Sequence, residues 1–130
     1  MKAVKFHLAG RDQYLAFTVE AMFQVQEKFG GTTELLDAMQ DSGREGFSAA
    51  CRAAAILAEQ GELARRSLGY DPEPMPDEGA IAASIQPGEI AALKLAIPSA
   101  MALGFGREVE PGNDEVDLGL AELNAQKKTR

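Results

Sequence analysis

The sequence predicts an α+β fold in which an N-terminal β-hairpin, over about residues 3–17, is followed by a mainly helical domain of about five helices. Apolar side chains alternate at the start of the chain, helix-length apolar stripes follow, and turn residues separate the stripes. The 130 residues and their 45% hydrophobic content suit one domain. We expect residues 1–106 to form that domain and residues 107–130 to form a polar tail, either weakly helical or disordered.

The hairpin is indicated by an apolar side chain at every second position from Val4 to Leu8. Gly10 can take the positive φ of a tight turn, and residues 13–17 resume an extended pattern. A two-stranded hairpin is only marginally stable in water. We therefore expect it either to pack on the helices or to pair through its edge with another chain.

Two helices are predicted after the hairpin. Thr18 is a good N-cap for the first, and Gly30 with Gly31 is suited to end it. The second is short and is capped by Thr32 or Thr33. The apolar face of the first helix is predicted to carry Val19, Met22, Phe23 and Phe29.

An Ala-rich segment predicts a third helix over about residues 45–60. Ser42 followed by Glu45 is a capping-box pattern at its start. Gly61 is expected to break or bend it, with another turn or two over residues 62–68. The small side chains should allow a neighbouring helix to approach closely.

A proline-rich connector is predicted next, over residues 69–77, because three prolines within residues 72–76 exclude a helix. Asp77 is suited to cap a short fourth helix and Pro87 to open a fifth. The apolar run over residues 90–106 is shorter than the roughly 20 residues that span a bilayer. We therefore do not expect a membrane segment.

The fifth helix is the best candidate for binding a partner, because it is apolar almost all round apart from Lys94. The pattern leaves two interpretations open. The helix is either the central core helix or one that also packs against another subunit or a helical partner. The candidate partner-binding residues are Ile90, Leu93, Ile97 and Met101.

No catalytic, cofactor-binding or metal-binding residues are predicted. His7 is the only histidine and Cys51 the only cysteine, which excludes a zinc site of ordinary ligand spacing. Cys51 lies in the Ala-rich segment, so we expect it to be a small buried hydrophobe. Glycine-rich phosphate loops are absent, and no pair of carboxylates stands out for acid–base work.

The net charge of −7 argues against nucleic acid as a partner, because phosphate binding needs clustered Lys and Arg. Acidic residues occur without any Lys or Arg between Arg66 and Lys94. This stretch is either a solvated face or a docking surface for a basic partner. No targeting segment is visible, and we expect a cytoplasmic protein without a small-molecule substrate.

The order of elements resembles the small tail assembly chaperones of long-tailed bacteriophages and prophages. The resemblance covers about residues 3–105. The matching features are the Val4-Lys5-Phe6 strand, the turn at Gly10, the strand from Tyr14 to Thr18 leading into Val19-Glu20-Ala21, the helix end from Glu27 to Gly30, the Ala-rich helix, the connector from Gly69 to Pro76 and the late apolar helix.

The resemblance implies a non-enzymatic protein of the bacterial host cytoplasm. Such proteins bind the tape-measure protein, a long helical and hydrophobic polypeptide, and keep it soluble until tail-tube subunits polymerise around it. Self-association and contact with the major tail protein are further implications, as is a longer frameshifted product made near Lys127-Lys128. The alternatives are another small phage structural or connector protein, or a small acidic enzyme or regulatory subunit.

Overall fold

A computed structural model describes residues 1–107 and 115–118. It contains the predicted N-terminal hairpin followed by five helices, which confirms the α+β fold. A short 3₁₀ turn, Pro87–Glu89, leads into the last helix. The elements are β1 (Lys2–Leu8), β2 (Arg11–Leu15), α1 (Val19–Phe29), α2 (Thr32–Met39), α3 (Arg44–Ser67), α4 (Glu78–Ser84), α5 (Ile90–Gly104) and β3 (Glu115–Asp117).

The sheet has the order β2-β1-β3, and both pairs are antiparallel. Phe6 lies opposite Gln13 in the hairpin, and Ala3 lies opposite Val116 in the second pair. The sequence placed residues 107–130 outside the domain, whereas Glu115–Asp117 pairs with β1. The rest of the tail, including Lys127-Lys128, lies outside the described residues, apart from Arg107 and the buried Leu118.

The main core surrounds α3, which contacts β2 and the other four helices. Its buried face is rich in alanine, and these small side chains let the neighbouring helices come close, as expected. The largest side chains that are almost fully buried in this core are Leu8, Leu15, Val25, Leu35, Leu57, Ile81, Leu93 and Ile97.

The predicted end of α3 near Gln60 is wrong, because the helix continues to Ser67. Gly61 lies where α3 crosses β2, and a Cβ atom added there would overlap the carbonyl oxygen of Tyr14. Beside this crossing the Ala16 N–H donates to the Leu57 carbonyl over 3.1 Å. Glycine in a helix costs about 1 kcal/mol relative to alanine. Here it permits the close contact between helix and strand.

The start of α3 also differs from the prediction. Its N-cap is Gly43, and the predicted capping box of Ser42 and Glu45 does not form. Instead the Asp41 side chain accepts hydrogen bonds from the N–H groups of Gly43 (3.0 Å) and Gly46 (3.1 Å). A carboxylate at this end is also favoured by the positive N-terminus of the helix dipole.

The predicted cap of α2 is wrong, because its N-cap is Gly31 and neither Thr32 nor Thr33 makes a capping hydrogen bond. Pro87 opens the 3₁₀ turn that leads into α5 rather than α5 itself.

Three other predicted helix ends are confirmed. Thr18 caps α1 by accepting from the Ala21 N–H over 3.1 Å, and Gly30 ends that helix with a φ of 98°. Asp77 caps α4 by accepting from the Ala80 N–H over 2.8 Å. Local sequence signals therefore placed these boundaries correctly.

Among the described residues, no single helix has both the length and the apolar composition needed to cross a bilayer. The segments Glu78–Ser84 and Pro87–Gly104 meet that test only when they are taken together, and they are bent by 109° relative to each other.

Candidate functional site

The four residues predicted to bind a partner on α5 do not form an exposed face. Leu93 and Ile97 are 0% exposed, Met101 is 4% exposed, and Ile90 is partly buried. They belong to a helix that contacts β1 and α3, so the structure supports the core interpretation of α5. Their role in partner binding stays a prediction. The large apolar side chain that α5 does expose is Leu95, at 67%.

The predicted apolar face of α1 is confirmed for Met22 and Phe29, which pack partly buried against the core, and wrong for the other two residues, because α1 is turned so that Ala21 and Val25 point inward. Val19 and Phe23, expected on the inner face, are 66% and 48% exposed. Hydrogen bonds to α3 fix this rotation. The Thr18 hydroxyl donates to Gln60 Oε1 over 2.6 Å, and Gln24 Nε2 donates to Glu59 Oε1 over 3.4 Å.

Two further exposed apolar side chains belong to the elements that meet at the start of α1. Phe105, just after α5, is 52% exposed, and its ring centroid lies 5.3 Å from that of Phe17. The backbones are close here, since a Cβ atom added at Gly104 would overlap the Phe17 carbonyl oxygen. Leu63 is 43% exposed and follows Gln60 by one helical turn.

We use the name α1 surface for the exposed apolar side chains of α1 and of the segments that contact its start, which are Val19, Phe23, Leu63 and Phe105. Polar groups lie beside it. Gln24 Nε2 donates to Glu20 Oε2 over 3.1 Å, and the Arg107 guanidinium lies 5.7 Å from the centre of the Phe105 ring. Exposed large apolar side chains with polar groups beside them are typical of a protein-binding surface. Sequence periodicity could not find this surface, because the rotation of α1 depends on residues of α3.

Two open grooves flank the helices. The first, about 530 Å³, lies between α1, α3 and the end of the connector, and its lining includes Lys28, Arg52, Glu59 and Glu78. The second, about 490 Å³, lies between α2 and the start of α3. Arg52 Nε and Glu78 Oε2 are 3.0 Å apart in the first groove. Opposite charges line both grooves, so neither groove selects a ligand of one charge.

The strongest polar cluster joins the end of α3 to the connector. Glu62 is 5% exposed, and its carboxylate accepts from the Glu73 N–H (2.7 Å), Arg65 (2.7 Å) and Arg66 (2.9 Å). Burial acts to raise the pKa of Glu62, but these hydrogen bonds and the Arg65 charge outweigh it and hold the pKa below its ordinary value. A carboxylate held ionised in this way is unsuited to act as a general acid near neutral pH.

Arg65 extends this cluster toward the sheet. It is 6% exposed, and its guanidinium lies 5.8 Å from the centre of the Tyr14 ring and 5.1 Å from that of Tyr70. The Tyr70 hydroxyl donates to the Leu118 carbonyl over 2.6 Å. The cluster therefore connects α3, the connector, β2 and the segment after β3.

The single histidine and the single cysteine do not lie at a shared site. His7 is exposed on β1, with Nδ1 3.2 Å from Asp12 Oδ1. Cys51 is 1% exposed, as expected for a small buried hydrophobe. Burial, and secondarily the charge of Glu78, raise the pKa of its thiol. Within residues 1–107 and 115–118, no cluster of three or more His, Cys, Asp or Glu side chains could hold a metal ion.

Comparison with known proteins gives no match to any protein-family model, to any curated protein or to any solved structure.

Proposed function

We propose that this chain is a tail assembly chaperone of a long-tailed phage or prophage, and that it binds the tape-measure protein during tail assembly. The sequence resemblance implies this activity. The observation that carries the proposal is the α1 surface, where four large apolar side chains remain 43–66% exposed on a protein of net charge −7.

The α1 surface suits a helical and hydrophobic partner. Val19 and Phe23 are separated by one helical turn, so they form a short apolar stripe along α1. A partner helix laid on such a stripe buries its own apolar face against it. Full burial of a Val or Phe side chain contributes about 1.5–3 kcal/mol. Four partly exposed side chains therefore provide a moderate affinity, as a chaperone that must later release its client requires.

The acidic charge supports the same function. A high net charge of one sign keeps protein complexes apart in solution. A chaperone bound to a hydrophobic polypeptide would supply that charge to the complex, while the apolar contact stays confined to one surface.

The α1 surface is accessible without any rearrangement, whereas Leu93, Ile97 and Met101 are buried. Binding through those three residues would first require α5 to leave the core. We therefore assign the first contact with the tape-measure protein to the α1 surface rather than to the inner face of α5.

Co-expression with the tape-measure protein encoded by the same phage tests the proposal. We expect the tape-measure protein to be soluble and to co-purify with the wild-type chain. Phe23→Ser should reduce both the solubility and the co-purification of the tape-measure protein, because it removes the largest apolar side chain of the stripe. Leu95→Ser is the matched control, since Leu95 is even more exposed and lies on α5, outside the α1 surface.

If the solubility of the tape-measure protein does not depend on this chain, the proposed function is wrong. If both substitutions reduce co-purification equally, binding is not localised at the α1 surface. Gene order offers an independent check, because a chaperone gene is expected between the genes of the major tail protein and the tape-measure protein.

A further inference from the structure

The edge of β1 that faces away from β2 binds a short extended segment. Lys2, Ala3 and Val4 pair with the three residues of β3, and the Leu118 N–H continues the ladder by donating to the Met1 carbonyl over 2.9 Å. Lys2 Nζ lies 3.0 Å from Glu115 Oε1. The edge therefore binds the segment in two ways. Its backbone pairs with the segment, and the ammonium group of Lys2 favours an acidic residue at the start of the segment.

A pocket at the other end of the edge holds the side chain of Leu118, which is 0% exposed. Ala3 and Ala16 form its buried wall, and Tyr14, Ala64 and Val116 pack around it. Tyr70, only 3% exposed, donates its hydroxyl hydrogen to the Leu118 carbonyl. Small residues make room for the leucine, and the tyrosine holds the backbone beside it.

The pocket is separate from the main core. Leu118 clusters with Ala3 and Ala16, and none of these three residues belongs to the cluster around α3. Seven residues connect Arg107 to Glu115. Loss of the bound segment would therefore leave the packing of α3 with α2, α4 and α5 in place.

We propose that this edge exchanges its occupant between molecules, so that residues 115–118 of a second copy bind β1 in place of the chain's own segment and a reciprocally swapped dimer forms. The chain itself carries the sequence that fits the edge. Glu115 is the acidic residue that faces Lys2, and Leu118, three positions later, is the residue that fills the pocket. The edge makes the same contacts whether the segment comes from its own chain or from a second copy. The protein concentration therefore decides which of the two segments is bound. This inference is independent of the proposed function.

A charge-swap experiment on the full-length chain tests the exchange. Lys2→Glu and Glu115→Lys each place like charges at the edge of their own molecule. In a mixed swapped dimer both edges carry opposite charges again. Both side chains are partly exposed, so the variants should keep the fold.

We expect the mixture to contain about threefold more dimer than either variant alone when measured by sedimentation velocity at low salt, as the modest strength of exposed ion pairs allows. The excess should disappear at about 1 M salt, where charges are screened within about 3 Å. Each variant is checked for folding by circular dichroism.

A peptide experiment tests the edge separately from dimer formation. Leu118→Asp removes the anchor of the chain's own segment, and a fluorescent peptide with the sequence of residues 112–121 is then added. We expect this variant to bind the peptide, and to bind a peptide with Asp in place of the leucine about tenfold or more weakly, because the leucine side chain is fully buried.

If the peptide binds but the mixed variants form no additional dimer, the second copy is not the occupant and the proposal is wrong. If the folded Leu118→Asp chain does not distinguish the two peptides, the edge has no leucine-binding site and the proposal fails at its first step.

Discussion

The two halves of α3 are held in place by different interactions. Residues 44–60 pack mainly through alanine, Ile56 and Leu57 against the neighbouring helices and β2. Residues 61–67 are held by a close backbone contact with Tyr14 and by the charged cluster of Glu62, Arg65 and Arg66. The first half is stabilised by burial of apolar surface, which has no directional requirement. The second half is stabilised by hydrogen bonds and ion pairs, which require defined distances and angles.

The comparison shows how the proline-rich connector, which has no regular secondary structure of its own, is kept on α3. Backbone groups of Asp71 and Glu73 bond to the side chains of Glu62, Arg65 and Arg66. The second half of α3 therefore orders a segment as well as itself. Substituting one residue of this cluster should therefore lower the stability of the protein by more than the number of hydrogen bonds lost suggests.

The largest effect is expected for Glu62→Ala. Removing one partner of a buried ion pair leaves the other charge uncompensated, and such changes cost about 3–5 kcal/mol. Glu78→Ala is the matched control, because its ion pair with Arg52 is about half exposed and should contribute less than about 1 kcal/mol. Urea unfolding of both variants measures the two values. Equal losses would show that the buried cluster does not stabilise the second half of α3.

A smaller loss, about 1–3 kcal/mol, is expected for Gly61→Ala, since overpacking at a rigid contact costs about that much. The added Cβ atom would overlap the Tyr14 carbonyl oxygen, so α3 and β2 must move apart. Gly88→Ala is the control, because the space around Gly88 is open. If thermal unfolding shows the same midpoint for both variants, the crossing of α3 and β2 is looser than described.

These residues also show which parts of the fold a sequence can predict. Thr18, Gly30 and Asp77 act on backbone groups within a few positions of themselves, and their roles were predicted correctly. Gly61 acts through Tyr14, which is distant in sequence and is brought close only by the hairpin. From the sequence alone, a glycine that permits close contact with a strand could not be distinguished from a glycine that ends a helix.

The candidate site was predicted less well for the same reason. The apolar stripe of α1 is visible in the sequence, but its rotation is set by Gln60 and Glu59 on α3. Whether Val19 and Phe23 face the core or the solvent could therefore not be decided from the periodicity of α1 alone. The third strand was missed because three residues, two of them acidic, carry almost no strand signal.

Acid should weaken the second half of α3 before the first. The folded state lowers the pKa of Glu62, so its contribution is complete above the ordinary glutamate pKa of about 4.3 and is lost as the pH falls through the lower folded value. The stability difference between wild type and Glu62→Gln should therefore shrink as the pH is lowered below about 4.3. The difference between wild type and Leu57→Ala should stay constant, because Leu57 carries no charge.

Urea unfolding at several pH values measures both differences. The test is sharpest with Glu62→Gln, because glutamine keeps the size of the side chain and does not titrate, although it replaces one accepting oxygen with an amide donor. A constant wild-type to Glu62→Gln difference across the acid range would mean that Glu62 titrates in the folded protein as it does in the unfolded chain.

The smallest change in stability is expected for Phe23→Ser. Surface substitutions away from special contacts usually shift the free energy of unfolding by no more than about 0.5 kcal/mol. Phe23 is 48% exposed, so we expect it to contribute little to folding despite its size. Leu57→Ala, at a site that is 1% exposed, is the internal reference and should cost about 2–5 kcal/mol. If urea unfolding gives comparable losses for both, α1 packs with Phe23 against the body, and the α1 surface is part of the core. A stable Phe23→Ser chain that fails to keep the tape-measure protein soluble would instead separate binding from folding at a single side chain.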